Sequence, residues 1–117
     1  MEPKIVKYQP GEVLLVLVTC PPGIVDSIAL NLLESELASC INIIPLVKSL
    51  YRWQGKVQQD NESLMLIKCS ADSYRQLEKR ILDIHPYELP EIIIVSVSGG
   101  LPDYLDWVIH PDKNNSE

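Results

Sequence analysis

A chain of 117 residues, 46% apolar and 22% charged, has the makeup of one soluble domain, read as residues 1–117 with an ordered core from about 11 to 110. No apolar run approaches the ~20 residues of a membrane helix, and residues 1–10, with Glu2, Lys4 and Lys7, do not read as a signal peptide. Sixteen acidic against ten basic residues give a net charge of −6, which repels phosphate backbones and argues against nucleic acid as a partner.

Residues 12–19, EVLLVLVT, are rich in Val and Leu without alternation, which predicts a central strand buried on both faces. Pro21-Pro22-Gly23 stops it. Ile24, Val25, Ile28, Ala29, Leu32 and Leu33 then fall on one helical stripe, with Pro22 in the first turn. This helix is expected to run to about Ser39. The first cysteine, Cys20, ends the strand; Cys40 and Cys69 follow, and no pair has the spacing of a zinc or thioredoxin site. Reduced thiols fit the cytoplasm, where we place the protein.

Residues 40–57 alternate with the period of a strand. Val47, Ser49, Tyr51, Trp53, Gly55 and Val57 share one face; Lys48, Leu50, Arg52, Gln54 and Lys56 share the other. Pro45 cannot donate to a ladder, so a bulge, bend or edge position is expected there. Gln58-Gln59-Asp60-Asn61 has turn chemistry, and residues 62–69 return as the second arm of a long hairpin. Ser70 is expected to cap a helix that begins near Ala71 or Asp72 and shows the stripe Tyr74, Leu77, Ile81 and Ile84. His85-Pro86 ends that helix. Residues 91–97 form the last strand, Gly99-Gly100 breaks it, and residues 102–109 fit a short helix packing Leu101, Leu105 and Val108.

The order strand, helix, strand, strand, helix, strand predicts an α+β fold, the ferredoxin-like βαββαβ antiparallel sheet with its main helices on one face and an extra C-terminal helix. Several strands are apolar on both sides, and the face without helices needs a cover. Residues 42–57 fully extended span roughly 50 Å, against roughly 35 Å for the diameter of a compact domain this size. The hairpin therefore overhangs unless Pro45 folds it back. Both arguments predict a homo-oligomer with strand pairing between subunits and Tyr51 and Trp53 at its interface.

Four stretches resemble the CutA family, the divalent-cation tolerance proteins: Ser39-Cys40-Ile41-Asn42-Ile43-Ile44-Pro45, Ser49-Leu50-Tyr51-Arg52-Trp53-Gln54-Gly55-Lys56-Val57, His85-Pro86-Tyr87-Glu88-Leu89-Pro90-Glu91-Ile92-Ile93 and Asp103-Tyr104-Leu105-Asp106-Trp107-Val108. Their order matches the family over nearly the whole chain. The resemblance implies a homotrimer linked to copper and divalent-metal tolerance, cytoplasmic in bacteria, with no catalytic reaction and no organic cofactor. It also implies a likeness to PII signalling proteins, which bind ligands between subunits, and some relatives anchor another protein; a signalling or scaffold module is thus the alternative reading.

The candidate metal ligands are His85, Glu91 and Cys20, since imidazole, carboxylate and thiolate suit copper and other divalent ions. Each also has a plainer reading. His85 can simply cap the end of its helix, and Cys20 can be a small buried thiol. The metal-associated cysteine of the family aligns with Val18 here, two residues before Cys20. Tyr51, Trp53 and Tyr87 are the candidate interface residues, either as interface anchors or as cross-strand pairs. Lys48, Arg52 and Lys56 read as a basic line on the opposite face of the strand, most simply a solvated one.

Overall fold

In a computed structural model, which describes residues 11–112, Val13–Cys20 forms β1 in the middle of a four-stranded sheet. A 3-10 turn at Pro22–Ile24 leads into α1 (Val25–Glu34). Two long strands follow, β2 (Cys40–Trp53) and β3 (Lys56–Ser70). A second 3-10 turn, Ala71–Ser73, opens α2 (Tyr74–Ile84), and β4 (Ile92–Ser96) and α3 (Pro102–Ile109) complete the chain. The sheet order is β2-β3-β1-β4 with every neighbouring pair antiparallel. This is the expected ferredoxin-like arrangement. The expectation for residues 1–10 lies outside the described residues.

The core lies between the helices and one face of the sheet. Leu14, Val16, Val18 and Cys20 of β1 meet Met65, Ile67 and Cys69 of β3 and the stripes of α1 and α2, Ile28, Leu32, Leu77 and Ile81 among them. On the other face Leu15, Leu17, Leu64 and Leu66 are only half-buried. The expectation that β1 is buried on both faces is thus corrected: its composition is apolar on both, but the helices cover one. Among the described residues no helix is long and apolar enough to cross a membrane.

α1 stops at Glu34, short of Ser39. Glu36 adopts a φ of 62°, and the amides of Glu36 and Leu37 return to the carbonyls of Leu33 and Leu32 at 3.0 and 3.1 Å. This double bond usually rests on a glycine, so the glutamate hides the stop from sequence inspection. Leu37 and Leu32 are both buried, as the apolar contact that accompanies such a stop requires.

The hairpin turn also differs. It falls at Gln54 and Gly55, with φ of 52° and 79°, a two-residue turn of the kind that matches strand twist. Gln58-Gln59-Asp60-Asn61 therefore lies inside β3, not in a turn. The reversal redistributes the faces. Trp53 pairs with Lys56 and Arg52 with Val57, so Lys56 joins the Tyr51–Trp53 side and Val57 the Lys48–Arg52 side. The basic line is broken at Lys56.

The bulge sits where Pro45 predicts it. Ile44 pairs with Leu64 and Val47 with Glu62, leaving Pro45 and Leu46 opposite Ser63, whose hydroxyl donates to the Pro45 carbonyl at 3.2 Å. The β1 ladder ends at the Cys20–Ser63 pair, so beyond the bulge β2 and β3 continue as a two-stranded arm. The arm overhangs: the molecule measures 53 × 37 × 25 Å. Its radius of gyration is 15.4 Å, against about 13 Å for a compact chain of this length. Ser70 stands before the second 3-10 turn, but its hydroxyl donates to Ser73 Oγ at 3.2 Å and not to a backbone amide. In α3 Val108 is buried as expected and accepts a hydrogen bond from Ser39 Oγ, whereas Leu101 is exposed.

Candidate functional site

The site grows from the end of α2. Pro86 forces His85 into an extended conformation, φ −79° and ψ 137°, which turns its ring toward β1. His85 Nε2 lies 2.8 Å from the Thr19 carbonyl oxygen, and Nδ1 accepts the Tyr87 amide at 3.1 Å. Because Nδ1 accepts, the ring proton is on Nε2, which donates to Thr19; the ring is a neutral imidazole with both nitrogens engaged. The His85 and Tyr87 rings meet at 4.7 Å and 60°.

Thr19 carries the link across β1. Its hydroxyl donates to Glu91 Oε1 at 3.4 Å, on the side of the sheet away from the helices. Tyr87 donates its hydroxyl to Glu62 Oε2 at 2.9 Å, and Tyr51 donates to Asp60 Oδ2. These groups line a groove of about 490 Å³ between the arm and the loop after α2, shared by Thr19, Tyr51, Trp53, Asp60, Glu62, Tyr87, Glu88, Leu89 and Glu91. Glu62 is 7% exposed. Burial, and then the bond to Glu62, push the Tyr87 phenol well above its usual range. The bond to Asp60 raises Tyr51.

Of the residues singled out from sequence, the structure brings Glu91, Tyr51, Trp53 and Tyr87 into this one groove. His85 stands behind Tyr87 as a buried prop. Cys20 belongs to the helix-side core, fully buried, and burial together with the charge of Glu62 pushes its thiol up to about 11. Val18, the position the resemblance assigns to a cysteine, is buried in the same core. Among the described residues no three His, Cys, Asp or Glu side chains lie close enough together to hold a metal ion within one copy. Sequence reasoning missed Thr19, Asp60 and Glu62. The last two were hidden by the misplaced turn; with the turn at Gln54-Gly55, pairing alone puts Asp60 and Glu62 beside Ser49 and Val47, on the face of Tyr51.

The sheet order, the helices on one face and the groove at the root of a long hairpin define an α+β protein of the ferredoxin-like class. The family model described as CutA1 divalent ion tolerance protein matches residues 14–110. The chain belongs to that family. It is 41% identical over 95 residues to the divalent-cation tolerance protein CutA of Thermus thermophilus, covering 80% of this chain and 92% of that protein. It is also 41% identical over 102 residues to the protein CutA of Mus musculus, covering 86% of this chain and 58% of the mouse protein. The solved divalent cation tolerance protein of Thermus thermophilus superimposes with a TM-score of 0.81 at 39% identity, covering 84% of this chain and 96% of that one. The PII-like protein CutA of Nostoc gives 0.80 at 33% identity, covering 83% and 94%.

Proposed function

We propose that this chain acts without catalysing a reaction, as a homotrimer involved in tolerance of divalent cations, copper among them, and holds the cation where the groove of one copy meets the next. The observation that carries the assembly is the helix-free face of the sheet. Ile44, Ile93 and Val95 are 41, 48 and 42% exposed there, beside half-buried Leu15, Leu17, Leu64 and Leu66. Each such side chain forgoes part of the ~1.5–3 kcal/mol that full burial contributes. A second copy laid on this face recovers it.

Membership of a family of divalent ion tolerance proteins supports the relation to cations. The chemistry of the groove fits: Asp60, Glu62, Glu88 and Glu91 offer oxygen donors to a divalent ion. An imidazole ligand from His85 requires that Nδ1 release the Tyr87 amide. Cation binding is therefore tied to assembly, which supplies further donors at the seam. His85 holds its basic lone pair on a backbone amide, which leaves little general-base capacity and supports a non-enzymatic role. The free thiols Cys20, Cys40 and Cys69 suit a reducing compartment such as the cytoplasm.

Titration calorimetry with Cu(II) tests this reading. Wild type is expected to bind saturably and Glu91→Gln at least tenfold more weakly; equal isotherms take Glu91 out of the site. The Nostoc neighbour, described as PII-like, favours a second reading in which the seam takes a small ligand or a protein partner for signalling. Saturable heat on titration with ATP, independent of metal, would support that reading over the first.

A further inference from the structure

We propose that the cavity enclosed by the end of α1, the end of β3 and α3 binds a small organic amine in its protonated, alkylammonium form. This is a second site, independent of the groove. Ser70, which lines it, pairs with Val13 at the start of β1, whereas Thr19 of the groove lies near the other end of that strand.

The cavity measures about 420 Å³, within the ~300–1,000 Å³ common to small-molecule sites. Its polar wall is one-sided. Ser39 donates its proton to the Val108 carbonyl, and Ser70 donates its own to Ser73 Oγ. Both hydroxyls therefore have only lone pairs left to offer. Glu36 and Asp112 add carboxylates, and among the described residues no lysine, arginine or histidine lines the cavity. Such a wall repels an anion and asks for a donor, and an alkylammonium brings three N–H groups. Leu33 and Val108 give its carbon chain an apolar wall. A bare metal ion fits less well: among the described residues no three His, Cys, Asp or Glu side chains gather to hold one, and it leaves the apolar wall unfilled.

Two features that the groove leaves unexplained meet here. Glu36 holds the helix stop at a φ of 62°, where glycine is the usual residue. Its side chain is exposed, and among the described residues its carboxylate has no partner, so the fold makes no use of its charge. A glutamate in this conformation has a reason if the carboxylate meets a ligand in the cavity that it lines. Trp107 belongs to the stretch from Asp103 to Val108, for which the groove has no role. It is 38% exposed at the same cavity, and Tyr104 stacks on it at 5.7 Å and 30°. An indole face attracts an organic cation.

Heteronuclear NMR titration of the full chain tests the site, with n-butylammonium as the probe and n-butanol as its neutral counterpart at matched ionic strength. The ammonium is expected to give saturable shifts at Glu36, Ser39 and the Trp107 indole, and butanol to bind at least fivefold more weakly. Glu36→Gln keeps the shape and removes the charge, and is expected to weaken the ammonium at least fivefold. Glu36→Gly, whose backbone suits the position better, is expected to lose binding to the same extent, so that stability and affinity move in opposite directions. The amide spectrum of each variant reports whether it is folded. Butanol that binds as tightly as the ammonium overturns the proposal. So do shifts that avoid the cavity and fall on Asp60, Glu62, Glu88 and Glu91 of the groove, an absence of saturable shifts, or a folded Glu36→Gln variant that binds like wild type.

Discussion

His85 shows how one side chain can hold a site without belonging to its chemistry. Its two nitrogens tie the Thr19 carbonyl to the Tyr87 amide. That fixes the loop after α2 against β1 and aims the Tyr87 hydroxyl at Glu62. The Cys20 and Cys69 thiols behave as core atoms. Burial pushes Cys69 from 9.0 up to about 12, and burial with the charge of Glu62 pushes Cys20 up to about 11. The sign follows from proton counting. Both folded values lie above 9.0, so the native state keeps protons that the unfolded chain releases. Their contribution is complete below pH 9 and is lost as pH rises toward about 11 and 12. The urea midpoint is expected to fall across that window. Iodoacetamide at about pH 8 is expected to spare Cys20 and Cys69 in the native protein and to modify both in urea, since the thiolate is the reacting form. Rapid native labelling of Cys20 would contradict its place in the core.

At the scale of elements, left-handed residues at two places decide where the chain turns. Glu36 holds the end of α1 at a φ of 62° and Gly55 the tip of the arm at 79°. A left-handed conformation costs an ordinary residue about 1–2 kcal/mol, and glycine adds about 0.4–1 kcal/mol of unfolded-chain entropy. Glu36→Gly is therefore expected to stabilise the protein by about 0.5–1 kcal/mol. Gly55→Ala is expected to destabilise it by a similar or larger amount, although a Cβ there meets nothing within 4 Å. Urea titration measures both, and a destabilised Glu36→Gly variant would refute the account of the helix stop. The same two positions explain what the sequence hides. Periodicity shows α2 and the stripe of α1 because burial enforces it, and Pro45 announces its bulge through a missing donor. A stop built on glutamate and a turn built on Gln-Gly lack the usual markers, so the first helix reads too long and the arm too far. That shift misplaces Lys56, Val57, Asp60 and Glu62. Tyr51, Trp53, Tyr87 and Glu91 remain legible because their stretches carry the family's pattern. The links of His85 to Thr19 and Tyr87 are three-dimensional and leave no spacing to find.

The whole molecule is shaped by a sheet with one face dressed and the other bare. Among the described residues β4 is an edge strand, paired only with β1, and it presents Ile93 and Val95 on the bare side while Ile92 and Ile94 pack toward the helices. Ile93 is 48% exposed in one copy, so replacing it barely touches the core, and the folded chain is expected to change by no more than about 0.5 kcal/mol. In the proposed assembly the same position falls in an apolar seam, where a lysine loses its water without gaining a partner. Ile93→Lys is therefore expected to keep the circular dichroism spectrum and melting behaviour of a folded domain while association weakens at least tenfold in sedimentation velocity. The contrast between the two readouts is the informative part. Loss of fold along with assembly would place Ile93 in the core of the single chain. An unchanged assembly would put the seam elsewhere, and the apolar face would then need a different cover, such as a protein partner bound across it.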